Sequence, residues 1–102
     1  MILEKALGGE STAKKTGYEK YLGKNVHIRT VTMAYSGKVE SLDSMSLTLS
    51  SACWIADSGR FSDYLIDTSK ANEQEPFPKD VTISIGGVID VTEIDKLPEG
   101  QK

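Results

Sequence analysis

Histidine, cysteine and tryptophan occur once each in this 102-residue chain, and proline three times. A lone cysteine, Cys53, closes no internal disulfide and fits a reducing compartment, so a cytoplasmic location is expected. Beside Trp54 it reads as a small buried residue, with a reactive thiol as the alternative. With His27 the sole histidine, a His/Cys metal cluster within one chain is excluded, and neither metal nor cofactor is expected. On a strand, His27 reads as a surface or rim residue. No apolar run approaches the ~20 residues of a membrane-spanning helix, and no membrane partner is expected. Met1-Ile2-Leu3 runs straight into Glu4 and Lys5, which leaves no apolar core for a signal peptide. Ser58-Gly59 lacks the Gly-x-Ser-x-Gly setting of a nucleophile elbow. Asp90, Glu93 and Asp95 read as a solvated face. No nucleophile–base pair emerges, and the chain reads as a non-enzyme.

What is present describes a small globular domain. Apolar residues make up 38% and aromatics 7%, which fits one domain over 1–102 with a modest core. The net charge of −3 is unevenly spread. Residues 1–30 hold six basic and three acidic side chains, and the remainder holds six basic and twelve acidic. A basic head on an acidic body is either a footprint for phosphates or ordinary solvated surface.

Residues 1–15 read as an N-terminal arm. Gly9 to Thr16 superficially evokes a phosphate-binding loop, but Lys14 stands at the required glycine, so a nucleotide site is rejected. Thr16-Gly17-Tyr18-Glu19 has the spacing of a capping box and predicts one short helix, with Gly23 as its stop. Asn25 to Tyr35 is rich in β-branched residues and reads as a first strand whose apolar parity switches between Ile28 and Val31, as across a bulge or a sharp coil.

The Ser36–Leu49 stretch reads as a bent hairpin with Asp43-Ser44 at its tip. Gly37 falls where backbones must approach closely. A third strand from about Met45 to Ala56 places Leu47, Leu49, Ser51, Cys53 and Ile55 on one side and Trp54 on the other. Asp57-Ser58-Gly59-Arg60 is turn chemistry with a helix cap in it. Phe61, Tyr64 and Leu65 mark a short amphipathic helix. Residues 57–79 therefore read as a helical insertion between strands 3 and 4. Two last strands follow, Val81 to Ile85 and Val88 to Ile94, hinged at Gly86-Gly87, and 95–102 reads as a flexible tail. The expected class is all-β: five bent strands closing a small barrel, with a short N-terminal helix.

This order resembles the Sm-like family (Sm, LSm and bacterial Hfq proteins), an SH3-type barrel. In that family's first motif a glycine is followed two residues on by an aliphatic and six on by an aspartate. Gly37, Val39 and Asp43 fit this spacing, Met45, Leu47 and Leu49 continue it, and Glu40-Ser41-Leu42-Asp43 is similar to the Hfq version. Ile85, Gly87 and Ile89 match the second motif loosely. The resemblance covers about residues 16–94, and the insertion falls in the family's variable loop. Ala52 to Phe61 also resembles small phage-encoded and bacterial proteins of this fold, which would place the chain in a host cytoplasm.

The resemblance implies a cyclic homo-oligomer built by pairing the fourth strand of one copy with the fifth of the next. Val81, Ile83, Ile85, Ile89 and Val91 are then the expected interface. It also implies single-stranded RNA at two pore-facing loops, namely Asp43, Ser44, Met45 and Ser46 with Gly86, Gly87 and Val88. The base-reading asparagine of the family corresponds to Ser46 here, its arginine and polar partner to Gly86 and Val88, and neither loop carries an aromatic. Three functions follow as expectations: an RNA-binding ring, a structural or adaptor ring engaging a protein through the insertion, and a monomeric peptide-binding barrel.

Overall fold

The computed structural model describes residues 17–102. The expected arm at 1–15 and the capping role of Thr16 lie outside the described residues. The elements are β1 (Asn25–Thr30), β2 (Ala34–Leu42), β3 (Ser46–Asp57), α1 (Phe61–Ile66), β4 (Glu73–Pro76), β5 (Val81–Ser84) and β6 (Val88–Glu93). Every pairing is antiparallel, in the order β4-β3-β2-β1-β6, with β5 also on β3. The all-β class is as expected; among the described residues the strands number six, where five were expected, because residues 73–76 add a strand.

β3 is the axis. Its first half pairs with β5, from Ser46↔Ser84 to Leu49↔Val81, and its second half with β4, from Cys53↔Pro76 to Asp57↔Glu73. Because β5 and β6 follow one another through a single 3-10 turn at Ile85–Gly87, the sheet curls back on itself. Enclosed by it are Val26, Ile28, Val39, Leu47, Leu49, Ala52 and Ile83. β4 escapes sequence reading because Glu73-Gln74-Glu75-Pro76 carries no apolar alternation; the ladder with β3 defines it.

The β2–β3 ladder is bent at two register shifts, the second between Val39 and Ser41. The β2–β3 register shifts between Ser36 and Lys38, and Ser51 sits at φ 48° on the opposite strand. This bulge reverses the parity of β3, so the expected single face of Leu47, Leu49, Ser51, Cys53 and Ile55 splits. Leu47, Leu49 and Ala52 face the enclosed core, Ser51 is exposed, and Cys53 and Ile55 turn to the other side. At Gly37 a Cβ would lie 3.0 Å from Leu49 Cβ and 3.2 Å from the Ser50 carbonyl oxygen. Both contacts sit on or next to the backbone and give little. Gly37→Ala is therefore expected to cost about 1–3 kcal/mol, read as a lower urea midpoint at unchanged slope.

The second face is covered by α1. Cys53, Ile55, Tyr64 and Ala71 form a separate buried cluster, with Ala34 and Leu65 against it. Asp57 does not cap α1: its carboxylate accepts the Gly59 amide at 2.9 Å, and Arg60 at the N-cap makes no side-chain capping bond. At the N-terminal side the expected helix is one 3-10 turn, Glu19–Tyr21, and the Glu19 carboxylate accepts the Gly17 amide at 3.0 Å.

The expected first strand through Tyr35 is in fact β1, a turn and the start of β2. Thr30 closes that turn: its hydroxyl accepts the Met33 amide at 3.0 Å and donates to the Met33 carbonyl at 2.8 Å. The parity switch coincides with a register shift of the β1–β6 ladder between Arg29 and Thr30, after which the chain reverses through residues 31–33.

Nor does 95–102 hang free. The Lys102 amide donates to the Gln74 carbonyl at 2.9 Å, the Gln74 amide donates back at 3.1 Å, and Pro98 is buried. Among the described residues no helix is long and apolar enough to cross a membrane.

Candidate functional site

The two loops singled out by the family resemblance do meet. The Ile85 amide donates to the Met45 carbonyl at 2.9 Å, seating the Ile85–Gly87 turn on the β2–β3 tip. On the turn's other flank the Val31 amide donates to the Gly87 carbonyl at 3.0 Å.

Within the tip, Asp43 is a turn residue. One carboxylate oxygen accepts the Met45 and Ser46 amides, both at 2.8 Å, and the Ser46 hydroxyl at 3.3 Å. These bonds, the Met45 amide's first, hold the carboxyl below its ordinary range. Asp43 and Ser46 thus fold the loop onto itself. Ser44, Met45 and Gly86 face solvent, whereas Val88 packs against the core. No lysine or arginine lies in 43–46 or 85–88. What surrounds the turn is apolar: Val31, Met45 and Ile89 are 75%, 77% and 62% exposed.

The expected interface residues divide. Ile83 is in the enclosed core, and Val81, Ile85 and Val91 pack on it; Ile89 alone projects outward. The backbone, however, is open. Among the described residues β5 pairs only with β3, and β6 only with β1. The Ile85–Met45 bond sets the alternation along β5, so the amides and carbonyls of Thr82 and Ser84 point away from β3. The Ile94–Asn25 bond likewise turns those of Val91 and Glu93 away from β1. Tyr21 reaches this edge, its hydroxyl donating to the Val91 carbonyl at 3.4 Å.

A second polar constellation lies under α1. His27, expected at the surface or rim, is 1% exposed. Its Nδ1 is 2.8 Å from Ser36 Oγ, which is 2.8 Å from the Tyr64 hydroxyl. Cross-strand pairing of His27 with Ser36 brings the first two together, and α1 delivers Tyr64. The His27 ring packs edge-on to Tyr64 at 5.1 Å and against Phe61 at 5.7 Å. Arg29 lies 4.3 Å over the Phe61 ring and is bound by Asp90 through both carboxylate oxygens. Burial pushes His27 down to about 4 and Tyr64 up to about 12. The network is closed to solvent and holds α1 to the sheet. Burial likewise raises the Cys53 thiol, which matches a structural rather than a reactive cysteine.

Sequence reading missed an aromatic surface. Tyr35 and Phe77 rings pack at 5.9 Å, and Met33, Trp54, Pro76, Phe77 and Pro78 line a groove of about 290 Å³ with Glu75 at its margin. The signal was present in Pro76-Phe77-Pro78, but only the pairing of β4 with Trp54 brings these residues together.

Comparison with protein-family models, curated proteins and solved structures finds no match to this chain.

Proposed function

We propose that the protein is a non-enzymatic, Sm-like ring former in which β5 of one copy pairs with β6 of the next, and that the ring is a structural or adaptor component of a phage or bacterial assembly. The observation that carries this reading is the pair of open backbone edges flanking one short turn. Unpaired strand edges are templates for another chain. Joining two unlike edges is a heterologous contact, which closes into a ring when the rotation permits. Exposed Val31, Met45 and Ile89 around the same turn add apolar surface to cover.

The loop chemistry favours the structural role over RNA reading. Single-strand binding rests on cationic tracks and aromatic stacking faces. Here the loops have neither, and the Asp43 carboxylate is engaged within its own turn. Within the insertion, a partner surface on the helix is not favoured, because Phe61 and Tyr64 turn inward onto His27. The groove at Trp54 is the better adaptor surface.

Ser84→Pro tests the edge pairing. Ser84 has φ −70°, which proline adopts, and its amide points away from β3. The substitution removes an outward donor and leaves the β3–β5 ladder intact. Light scattering is expected to show a shift toward monomer, with the thermal midpoint little changed. Assembly at the wild-type mass would overturn pairing through β5.

A further inference from the structure

We propose that the groove at Trp54, which rests on the adaptor reading but not on the ring, takes a proline-rich segment of a partner protein. The segment lies in the polyproline II conformation and carries a lysine or arginine beside its prolines.

One row of residues builds the floor. Tyr35 on β2 pairs with Trp54 on β3, which pairs with Glu75 on β4. The three side chains therefore share the face of the sheet opposite Cys53 and Ile55, turned away from α1. Phe77 closes the far end: its amide donates to the Ala52 carbonyl at 2.9 Å, and its ring packs on Tyr35 at 5.9 Å. Tyr35 and Phe77 also pack on the enclosed core, so the groove is formed before anything binds. Met33 and Trp54 border not only the hollow of about 290 Å³ at Phe77 but also a second, of about 360 Å³, that runs toward Arg29 and Ala56.

The lining selects the occupant. At this row β3 is flanked by β2 and β4, and the β4 edge is taken at Gln74 by Lys102, which leaves no free strand edge for strand addition. Two short hollows sharing an indole do not make the continuous trough that an amphipathic helix needs. A polyproline II segment fits: it is extended, turns about every three residues and docks its rings on aromatic faces. Its carbonyls have no internal donors. The Trp54 indole N–H, neither buried nor bonded among the described residues, is a donor at hand.

Charge sets the rest. Glu75 is the one charged residue lining the hollow at Phe77, and Glu73 stands on the same exposed face of β4. Among the described residues neither carboxylate has a salt-bridge partner. Two unpaired carboxylates beside an apolar groove attract lysine or arginine and repel the phosphates of a nucleic acid.

Trp54 is the single tryptophan of the chain, so its fluorescence reports the groove directly. The probe is an octaproline peptide ending in a pair of arginines, titrated into the full chain. A saturable change in emission is expected, and it weakens as salt rises. Replacing the arginines by glutamates, or the prolines by alternating glycine and serine, is expected to weaken binding by about tenfold or more. With a labelled peptide read by anisotropy, Trp54→Ala is expected to cost about tenfold, and Glu75→Gln about threefold with a flatter salt dependence. Glu75 is exposed, so its variant stays informative even where Trp54→Ala loosens the fold. No response to millimolar peptide, or equal affinity for the proline and glycine–serine peptides, would overturn the proposal. Tighter binding of oligouridine would give the groove to single-stranded nucleic acid and overturn it as well. On the Ser84→Pro chain the same affinity is expected, so a failed ring leaves the peptide site standing and a failed peptide site leaves the ring standing. Self-association of that chain, abolished by Trp54→Ala, would give the groove to a second copy and overturn the partner assignment.

Discussion

Tyr64→Ala is expected to remove about 3–5 kcal/mol of stability, the range for deleting a large buried aromatic. Tyr64 is fully buried and is the largest side chain of the cluster between α1 and the sheet. Its loss opens a cavity among Cys53, Ile55 and Ala71 and strips a hydrogen bond from Ser36. Since small domains hold only about 5–15 kcal/mol in total, the variant is left marginal at 37 °C. The melting midpoint should fall by about 15 °C or more. Tyr64→Phe separates the two effects, because it keeps the ring and loses only the hydroxyl, at about 1–2 kcal/mol. A Tyr64→Ala chain with a near-wild-type midpoint would mean that α1 is not docked through this side chain.

Acidification between pH 6.5 and about 4 is expected to remove about 3 kcal/mol through His27 alone. The sign follows from the folded state's reluctance to take the proton. In the unfolded chain the imidazole titrates near 6.5, whereas burial in the fold lowers it to about 4. Below 6.5 the unfolded state binds a proton that the folded state refuses, so stability falls with decreasing pH until the folded pKa is reached. The groups around His27 are Ser36 on β2, Tyr64 and Phe61 on α1, and Arg29 with Asp90 across β1 and β6. Burial is the largest cause, Asp90 opposes it by favouring the imidazolium, and Arg29 adds to it. The carboxyls of Asp43, Asp67 and Asp90 are also lowered, and their loss sets in at lower pH, below the His27 window. Urea midpoints at pH 7 and pH 4.5 check this, with His27→Gln as the control that flattens the difference. A wild-type profile as flat as the control's would show that His27 is not buried neutral.

How much of this was readable depends on where the information resides. The Gly37 bend was legible because a missing Cβ is a property of one residue, and the close approach to Leu49 bears it out. The Asp43 tip was legible because an aspartate at a hairpin end binds its own following amides. The turn at 31–33 was not, because Thr30-Val31-Thr32-Met33 has neither glycine nor proline, and a threonine hydroxyl performs the closure. The parity of β3 misled because Ser51 adopts a conformation its type does not announce. β4 and the docked 95–102 segment were invisible for a common reason. Each is polar in sequence and is ordered by a pairing, β4 with β3 and Gln74 with Lys102, that only the three-dimensional arrangement supplies. The burial of His27 depends in the same way on α1 arriving over the sheet.

The central claim is that open β5 and β6 edges build a ring without nucleic acid. Multi-angle light scattering on the purified full chain, with absorbance read at 260 and 280 nm, tests it most directly. The account predicts one discrete species at a whole multiple of the 11.1 kDa chain mass, with the absorbance ratio of protein alone. A single 11.1 kDa species at high concentration would contradict the ring, and an oligomer with a nucleic-acid absorbance ratio would contradict the structural role.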